Sequence, residues 1–298
     1  MNATLAPVCL FVFKRLDLTK QVLASLQNNQ LAAQSHLYIF SDAAAKEEDK
    51  KAVEEVRSFI SNITGFASVT LRLSDENKGL ANSVIAGVSE VVNEWGKAIV
   101  LEDDLVLSNN FLHFMNDALN WYENDERVFS VCGYTVPIRT KENLDVYFTG
   151  RGSSWGWATW KNRWDKIDWT MNDYNQFKKN KAAQKRFNRN GSDLTKLLRL
   201  QMEGKRNSWA IRWAYAQFKL ETYAVFPIVS KVANDGFGGN ATHTAGKHQT
   251  RFSTGLDKSG KTKFQFLSPY IHPDIFKQFT DTYSLKTRIL YKLKGLFA

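Results

Sequence analysis

The first 105 residues alternate strand-length apolar runs with stretches of helical periodicity, and this alternation constrains the fold more than any other feature. Pro7 to Phe13 is a continuous apolar run, after which Leu16 to Leu26 repeats apolar residues at helical spacing. Leu37-Tyr38-Ile39-Phe40 reads as a second strand that ends at Ser41-Asp42, and a charged helix follows from about Glu47 to Ile60. Ser68 to Leu73 alternates like a third strand, and Gly79 to Trp95 reads as a helix. Ala98-Ile99-Val100-Leu101 is a fourth strand, with Glu102-Asp103-Asp104 at its C-terminal end. Strand–helix repeats of this length predict an α/β fold, a mostly parallel sheet with helices on both faces.

Ligands of such sheets sit at the carboxyl ends of strands. Three polar clusters fall there: Lys14-Arg15, Asp42, and Glu102-Asp103-Asp104. Three adjacent carboxylates repel one another unless water or a cation compensates them. Mg²⁺ and Mn²⁺ take carboxylate oxygens and are often shared with substrate phosphates, so the triplet can be either a metal site or an acidic turn in water.

The second half is less regular. Helices are expected at Asn110 to Tyr122, Leu194 to Met202 and Trp209 to Leu220, and strands at Val128 to Cys132 and Tyr223 to Val232. Gly150 to Trp160 carries the Gly-rich signature of a loop, as does Asn234 to Thr244. Five of the nine tryptophans lie between Trp155 and Trp169. Indole faces stack on the apolar faces of sugars. Trp155-Gly156-Trp157 therefore suits a wall for a donor or acceptor sugar, whereas Trp160 and Trp164 suit a packed aromatic core.

Charge and cysteine content narrow the class. The net charge is +10, and residues 174–206 hold ten Lys/Arg against only Asp193 and Glu203. That basic stretch, Lys178 to Arg189 above all, suits either an anionic acceptor or membrane, or a solvated helix face. Cys9 and Cys132 lie inside apolar runs and read as buried free thiols. The N-terminal residues lack the basic-then-apolar pattern of a signal peptide, and no apolar run approaches the length of a membrane span. A cytoplasmic, bacterial protein is expected, peripheral on the inner face of the membrane if its basic end docks there. Beyond Tyr283, basic and apolar residues interleave in the manner of an interfacial helix.

The stretch Ile99-Val100-Leu101-Glu102-Asp103-Asp104-Leu105-Val106-Leu107-Ser108, followed by Phe111-Leu112, resembles the metal-binding segment of GT-A glycosyltransferases. It is most similar to the N-acetylglucosaminyltransferase I type and to bacterial family-2-like enzymes of surface-polysaccharide synthesis. Further matching segments are Leu10 to Arg15, Tyr38 to Asp42, Asn77 to Ala81, Ser154 to Trp164 and Gly236 to Thr244, so the resemblance covers most of residues 6–245. It implies a GT-A, Rossmann-like body in which residues 1–105 bind a nucleotide sugar. Residues 106–282 would form a continuous acceptor-binding and catalytic half, and 283–298 a basic amphipathic C-terminal helix.

The resemblance also implies roles. Arg15 would sit near the nucleotide, and Asp42 would accept a hydrogen bond from the base's imide N–H, which suits UDP. Asn77, Lys78 and Gly79 would line the nucleotide pocket. Asp103 would contact ribose or metal, Asp104 would ligate Mn²⁺ or Mg²⁺ directly, and Glu102 would support them. His243 would be a second metal ligand, with His248 as the substitute.

The general base has no such assignment, because the helix opening Ser208-Trp209-Ala210-Ile211-Arg212-Trp213 carries no carboxylate where relatives place one. The nearest substitute is Asp193, whose alternative role is an ordinary helix cap. The partners implied are a nucleotide-sugar donor, a glycan or lipid-linked acceptor and an anionic membrane at 283–298. Nucleic acid is not expected, because carboxylates repel phosphate.

Two rival functions remain. A sugar-phosphate nucleotidylyltransferase should carry a Gly-rich loop near its N-terminus, yet Leu10 to Asp17 contains no glycine. A non-catalytic carbohydrate- or nucleic-acid-binding module leaves the acidic triplet without a purpose.

Overall fold

The computed structural model describes residues 4–234, Phe252 and residues 254–294. The first half runs β1 (Val8–Val12), α1 (Leu16–Gln27), β2 (His36–Ser41), α2 (Lys50–Ile60), β3 (Ser68–Leu73), α3 (Gly79–Trp95) and β4 (Lys97–Glu102). After it come β5 (Leu105–Leu107), α4 (Phe111–Trp121), β6 (Val128–Cys132), β7 (Val146–Thr149), β8 (Trp157–Trp160) and α5 (Lys161–Trp164). Then follow α6 (Tyr174–Lys179), α7 (Lys181–Phe187), α8 (Leu194–Met202), α9 (Trp209–Lys219), β9 (Tyr223–Pro227), β10 (Val232–Asn234), α10 (Pro273–Thr282) and α11 (Leu285–Lys294).

Eight strands form one mixed sheet in the order β3-β2-β1-β4-β8-β6-β9-β7. The β3-β2-β1-β4 and β6-β9 pairings are parallel, while β8 is antiparallel to both its neighbours and β7 to β9. Six of the eight strands therefore run the same way. Because β8 lies between β4 and β6, the second half of the chain completes the sheet that the first half begins.

The continuous apolar runs have a simple cause: both faces of the sheet are covered. Along β1, Val8, Leu10 and Val12 join a core with Val22, Leu23 and Leu26 of α1 and Val56 and Ile60 of α2. Cys9 and Phe11, pointing the other way, join a second core with Val84, Val88 and Val92 of α3 and Trp209 and Trp213 of α9. A third, smaller core gathers Phe177, Phe187, Leu194 and Leu198 of α6–α8 against Ile211 and Tyr215 of α9. Cys9 and Cys132 are buried free thiols, and burial pushes the Cys132 thiol up to about 12.

Two expectations for the second half need correction. The Gly- and Trp-rich loop ends at Gly156, since Trp157-Ala158-Thr159-Trp160 is a central strand buried on both faces. The strand expected from Tyr223 to Val232 divides at Pro227 into β9 and β10, because proline cannot donate to a continuing ladder. β7, α6, α7 and α10 arise where the sequence showed no periodicity strong enough to announce them. Among the described residues, no helix is long and apolar enough to cross a membrane.

Candidate active site

Parallel pairing brings two polar strand ends together. β1 and β4 are adjacent, with Phe11 level with Glu102, so the chain beyond β1 emerges beside the acidic triplet. Arg15 turns across that gap. Its Nη2 donates to Asp103 Oδ1 and, at 3.2 Å, to Asp104 Oδ2, while its Nε reaches Asp103 Oδ2 at 3.3 Å. Lys14, the other cation at this strand end, turns away to Asp49 at 2.6 Å.

The three carboxyls occupy different environments. Asp103 is only 4% exposed. Burial raises its proton affinity, and the Arg15 guanidinium opposes that rise only in part. Burial alone would make Arg15 easier to deprotonate, but its bonds to Asp103 and the charges of Asp103 and Asp104 outweigh it. Glu102 is half-buried, and burial followed by the charges of Asp104 and Asp103 pushes its carboxyl up to about 8.

Asp104 is partly exposed, with 17% of its side chain accessible. Its Oδ1 accepts from Asn234 Nδ2 at 3.3 Å and its Oδ2 from Arg15, and both bonds are long. A carboxylate has about four acceptor positions, so each oxygen keeps capacity for a cation. Among the described residues, no group of three or more His, Cys, Asp or Glu is gathered to hold a metal. That donor set fits a divalent ion held by one or two carboxylates and completed by substrate phosphate and water, which is the habit of Mg²⁺. His243 and His248 lie outside the described residues.

Asn234 carried no role in the sequence reading. It reaches Asp104 because β10 pairs antiparallel with β5, placing Asn234 opposite Leu105. A buried ion pair between Lys231 and Asp257 fixes this strand, with Asn110 Nδ2 donating to the same Asp257 oxygen at 3.0 Å. The only sequence cue was Leu105-Val106-Leu107, a short apolar run placed immediately after the triplet.

Asp42 lies at the neighbouring strand end, since Ser41 pairs with Val12. Its carboxylate is already engaged. Oδ1 accepts from the backbone N–H groups of Ala43 at 3.0 Å and Lys78 at 2.9 Å. Oδ2 accepts from Gly79 N–H at 2.8 Å and Ser83 Oγ at 3.4 Å. Asp42 is thus the cap of α3, reaching it from another element, and its four acceptor positions are filled. A base's imide N–H arriving here would compete with these four donors. Gly79 enters α3 at φ +71°, a conformation that favours glycine. Asn77 donates from Nδ2 to Ala43 O at 2.7 Å, and the exposed Lys78 contributes its backbone N–H to the cap.

The aromatic wall divides. Trp157 is fully buried, with its ring centroid 4.5 Å from that of Trp213, 4.9 Å from Trp209 and 5.7 Å from Trp164. It has no face left for a sugar, which corrects its sequence assignment. Trp155 remains half-buried, packed on Tyr134 at 4.5 Å. Gly156 holds it at the triplet's end of the sheet. A Cβ on Gly156 would lie 3.5 Å from Leu101, the residue preceding Glu102, and 2.8 Å from Val232. Its φ of +61° excludes most other residues as well.

Asp193 is not a free base. Arg151 forks onto both its oxygens at 2.8 and 3.1 Å and lies 4.1 Å from the Tyr283 ring. Burial would raise this carboxyl, but the Arg151 charge and hydrogen bonds outweigh it and lower its proton affinity. That is the wrong direction for accepting a proton. Its side chain caps no N–H of α8 either.

The solved structures similar to this chain include two of particular note. One is the mannosyltransferase PcManGT from Pyrobaculum calidifontis in complex with GDP-Man and Mn²⁺, at 14% identity and a TM-score of 0.37, over 54% of this chain and 46% of that one. The other is TarS of S. aureus, at 11% identity and a TM-score of 0.32, over 47% of this chain and 24% of that one. The chain thus spans less than half the length of either. No protein-family model and no curated protein matches it.

Proposed function

We propose that this protein transfers a sugar from a nucleotide-sugar donor to a glycan or lipid-linked acceptor. The observation that carries the reading is the Arg15–Asp103–Asp104 cluster at the carboxyl ends of adjacent parallel strands. Asp104 would hold Mn²⁺ or Mg²⁺, and the donor's diphosphate would complete the coordination. Bound there, the metal neutralises charge on the departing diphosphate. Arg15 would hold Asp103 and aim Asp104, and Asn234 would fix the other Asp104 oxygen.

The finer assignments rest on the sequence resemblance. They are a hexosyl- or N-acetylhexosaminyltransferase, inverting, using a UDP-sugar in bacterial surface-polysaccharide synthesis at the cytoplasmic face of the membrane. Residues 1–105 would serve the donor and residues 106–282 the acceptor. With Asp42 occupied as a cap, the choice of uracil has no side-chain support here. The general base likewise has no assigned residue.

The test is a thermal-shift series with UDP, GDP and their sugars, with and without Mn²⁺. A ligand that binds only the folded state raises the melting temperature by mass action. A metal-dependent shift with a nucleoside diphosphate is expected, together with slow, chelator-sensitive hydrolysis of the matching nucleotide sugar. If no nucleotide shifts the transition in the presence of metal, sugar transfer is the wrong reading.

A further inference from the structure

An amphipathic helix at a protein surface ordinarily turns its apolar side inward. In the last described helix, three aliphatic side chains face outward instead. Thr287, Arg288 and Tyr291 are its half-buried residues, with Arg288 Nη1 donating to Ser192 Oγ at 3.4 Å. Leu285, Ile289 and Leu290 face outward at 59%, 50% and 48% exposure. They lie at i, i+4 and i+5 and share that face with the exposed Lys286.

The surroundings are cationic. Ser192, to which Arg288 donates, also donates to Tyr283 O at 2.8 Å, so α11 is fastened at the entrance to α8. Arg189 and Lys196 flank that point on the chain and are exposed. Gln184 O accepts from Thr195 Oγ1, which brings the exposed Lys185 and Arg186 onto the adjoining turn. Of the acids nearby, Asp193 is engaged by Arg151 and Glu203 by Arg199 and Lys205, while Asp281 is exposed at the end of α10. The patch therefore combines an aliphatic face that is exposed among the described residues with an excess of positive charge.

We propose that this face docks the protein on an anionic lipid surface, with Leu285, Ile289 and Leu290 entering the interface and the flanking cations meeting lipid headgroups. Apolar burial and attraction to anionic lipid act together in such helices, and neither alone gives stable binding. Charge complementarity selects lipid over a second copy of this chain, whose matching face would be equally positive. The docked face also lies close to the candidate acceptor wall. Trp155 contacts Phe252 at 5.8 Å, and Phe252 contacts Tyr283 at 5.7 Å, two residues before α11. The inference is independent of the sugar-transfer reading, since it needs neither donor nor metal.

Flotation with phosphatidylcholine vesicles, with and without about a third phosphatidylglycerol, tests it. The full chain should float with the anionic vesicles only, and less at high salt. The double variant I289E/L290E and the double variant R189E/K196E should each lower that partition about tenfold or more. All four side chains are exposed, so melting temperatures should stay put, and any nucleotide-induced shift should be retained in both. Undiminished flotation of I289E/L290E overturns the proposal. So does failure of the wild type to float, or a wild-type dimer in light scattering that I289E/L290E dissociates without any vesicle binding.

Discussion

Arg15 and Asp103 follow different strands, β1 and β4, yet the guanidinium of one forks onto the carboxylate of the other and extends to Asp104. One cation thereby serves two neighbouring acids that would otherwise repel each other. Burial has already raised the proton affinity of Asp103, so its ionised form depends on this partner.

Two variants separate these roles. Asp104→Asn should abolish metal dependence of nucleotide binding with little loss of stability, because Asp104 keeps some exposure. Arg15→Gln should weaken metal-dependent binding about tenfold to a hundredfold by loosening the ligand. It should also cost roughly 3 kcal/mol of stability, since Asp103 is left buried and unpaired. Calorimetric titration of Mn²⁺ with a nucleoside diphosphate, paired with urea unfolding, reads both effects.

Asp42 gives a different expectation. Its carboxylate joins the end of β2 to the start of α3 through two backbone N–H groups, those of Lys78 and Gly79. Asp42→Ala should destabilise the protein by about 2 kcal/mol, the upper range for loss of a helix cap. If Asp42 is a cap alone, discrimination between UDP and GDP should not change. A selective loss of UDP binding at unchanged stability would restore the base-contacting role.

Asp42 also shows how far the sequence could be read. The strand–helix alternation located β1, β2 and β4 because apolar runs buried on both faces are visible as runs, and the edge strand β3 by its alternation. The convergence of Arg15 with the acidic triplet followed from parallel pairing. Hydrogen bonds to backbone N–H groups, by contrast, leave no mark on residue identity, so the cap on Lys78 and Gly79 was invisible. Trp157 was misplaced for a related reason. A glycine beside tryptophans signals a turn, but where the turn stops depends on whether the next strand is buried by α3 and α9. Asn234 was missed because its role depends on pairing between β5 and β10, which are 125 residues apart from Leu107 to Val232.

The two tryptophans beside Gly156 should separate cleanly. Trp157→Ala empties the centre of a four-indole cluster and should cost about 3–5 kcal/mol. Trp155→Ala should cost much less, as its ring is half-buried, and should raise KM for the acceptor more than it lowers kcat. Urea unfolding and initial rates over a range of acceptor concentrations distinguish the outcomes. Equal loss of stability in both variants would make Trp155 another core residue.

Asp193 allows the sign of a pH effect to be worked out. Its folded-state proton affinity lies below that of an unfolded aspartate, whose pKa is about 3.9. The Arg151 pair therefore contributes stability that is fully present above about pH 4 and is lost as pH falls through the lower folded value. Asp193→Asn leaves Arg151 without its carboxylate and should cost on the order of 3 kcal/mol near neutral pH. The gap between wild type and variant should narrow as pH falls below about 4, because the wild type loses its pair there too. Urea midpoints at pH 7, 5 and 3 measure this. Activity settles whether the pair is also catalytic. A carboxylate locked by a bidentate arginine is a poor proton acceptor, so the variant should retain kcat at temperatures where it stays folded. A drop in kcat of a hundredfold or more, with donor binding intact and the fold confirmed by its melting curve, would return Asp193 to the role of base.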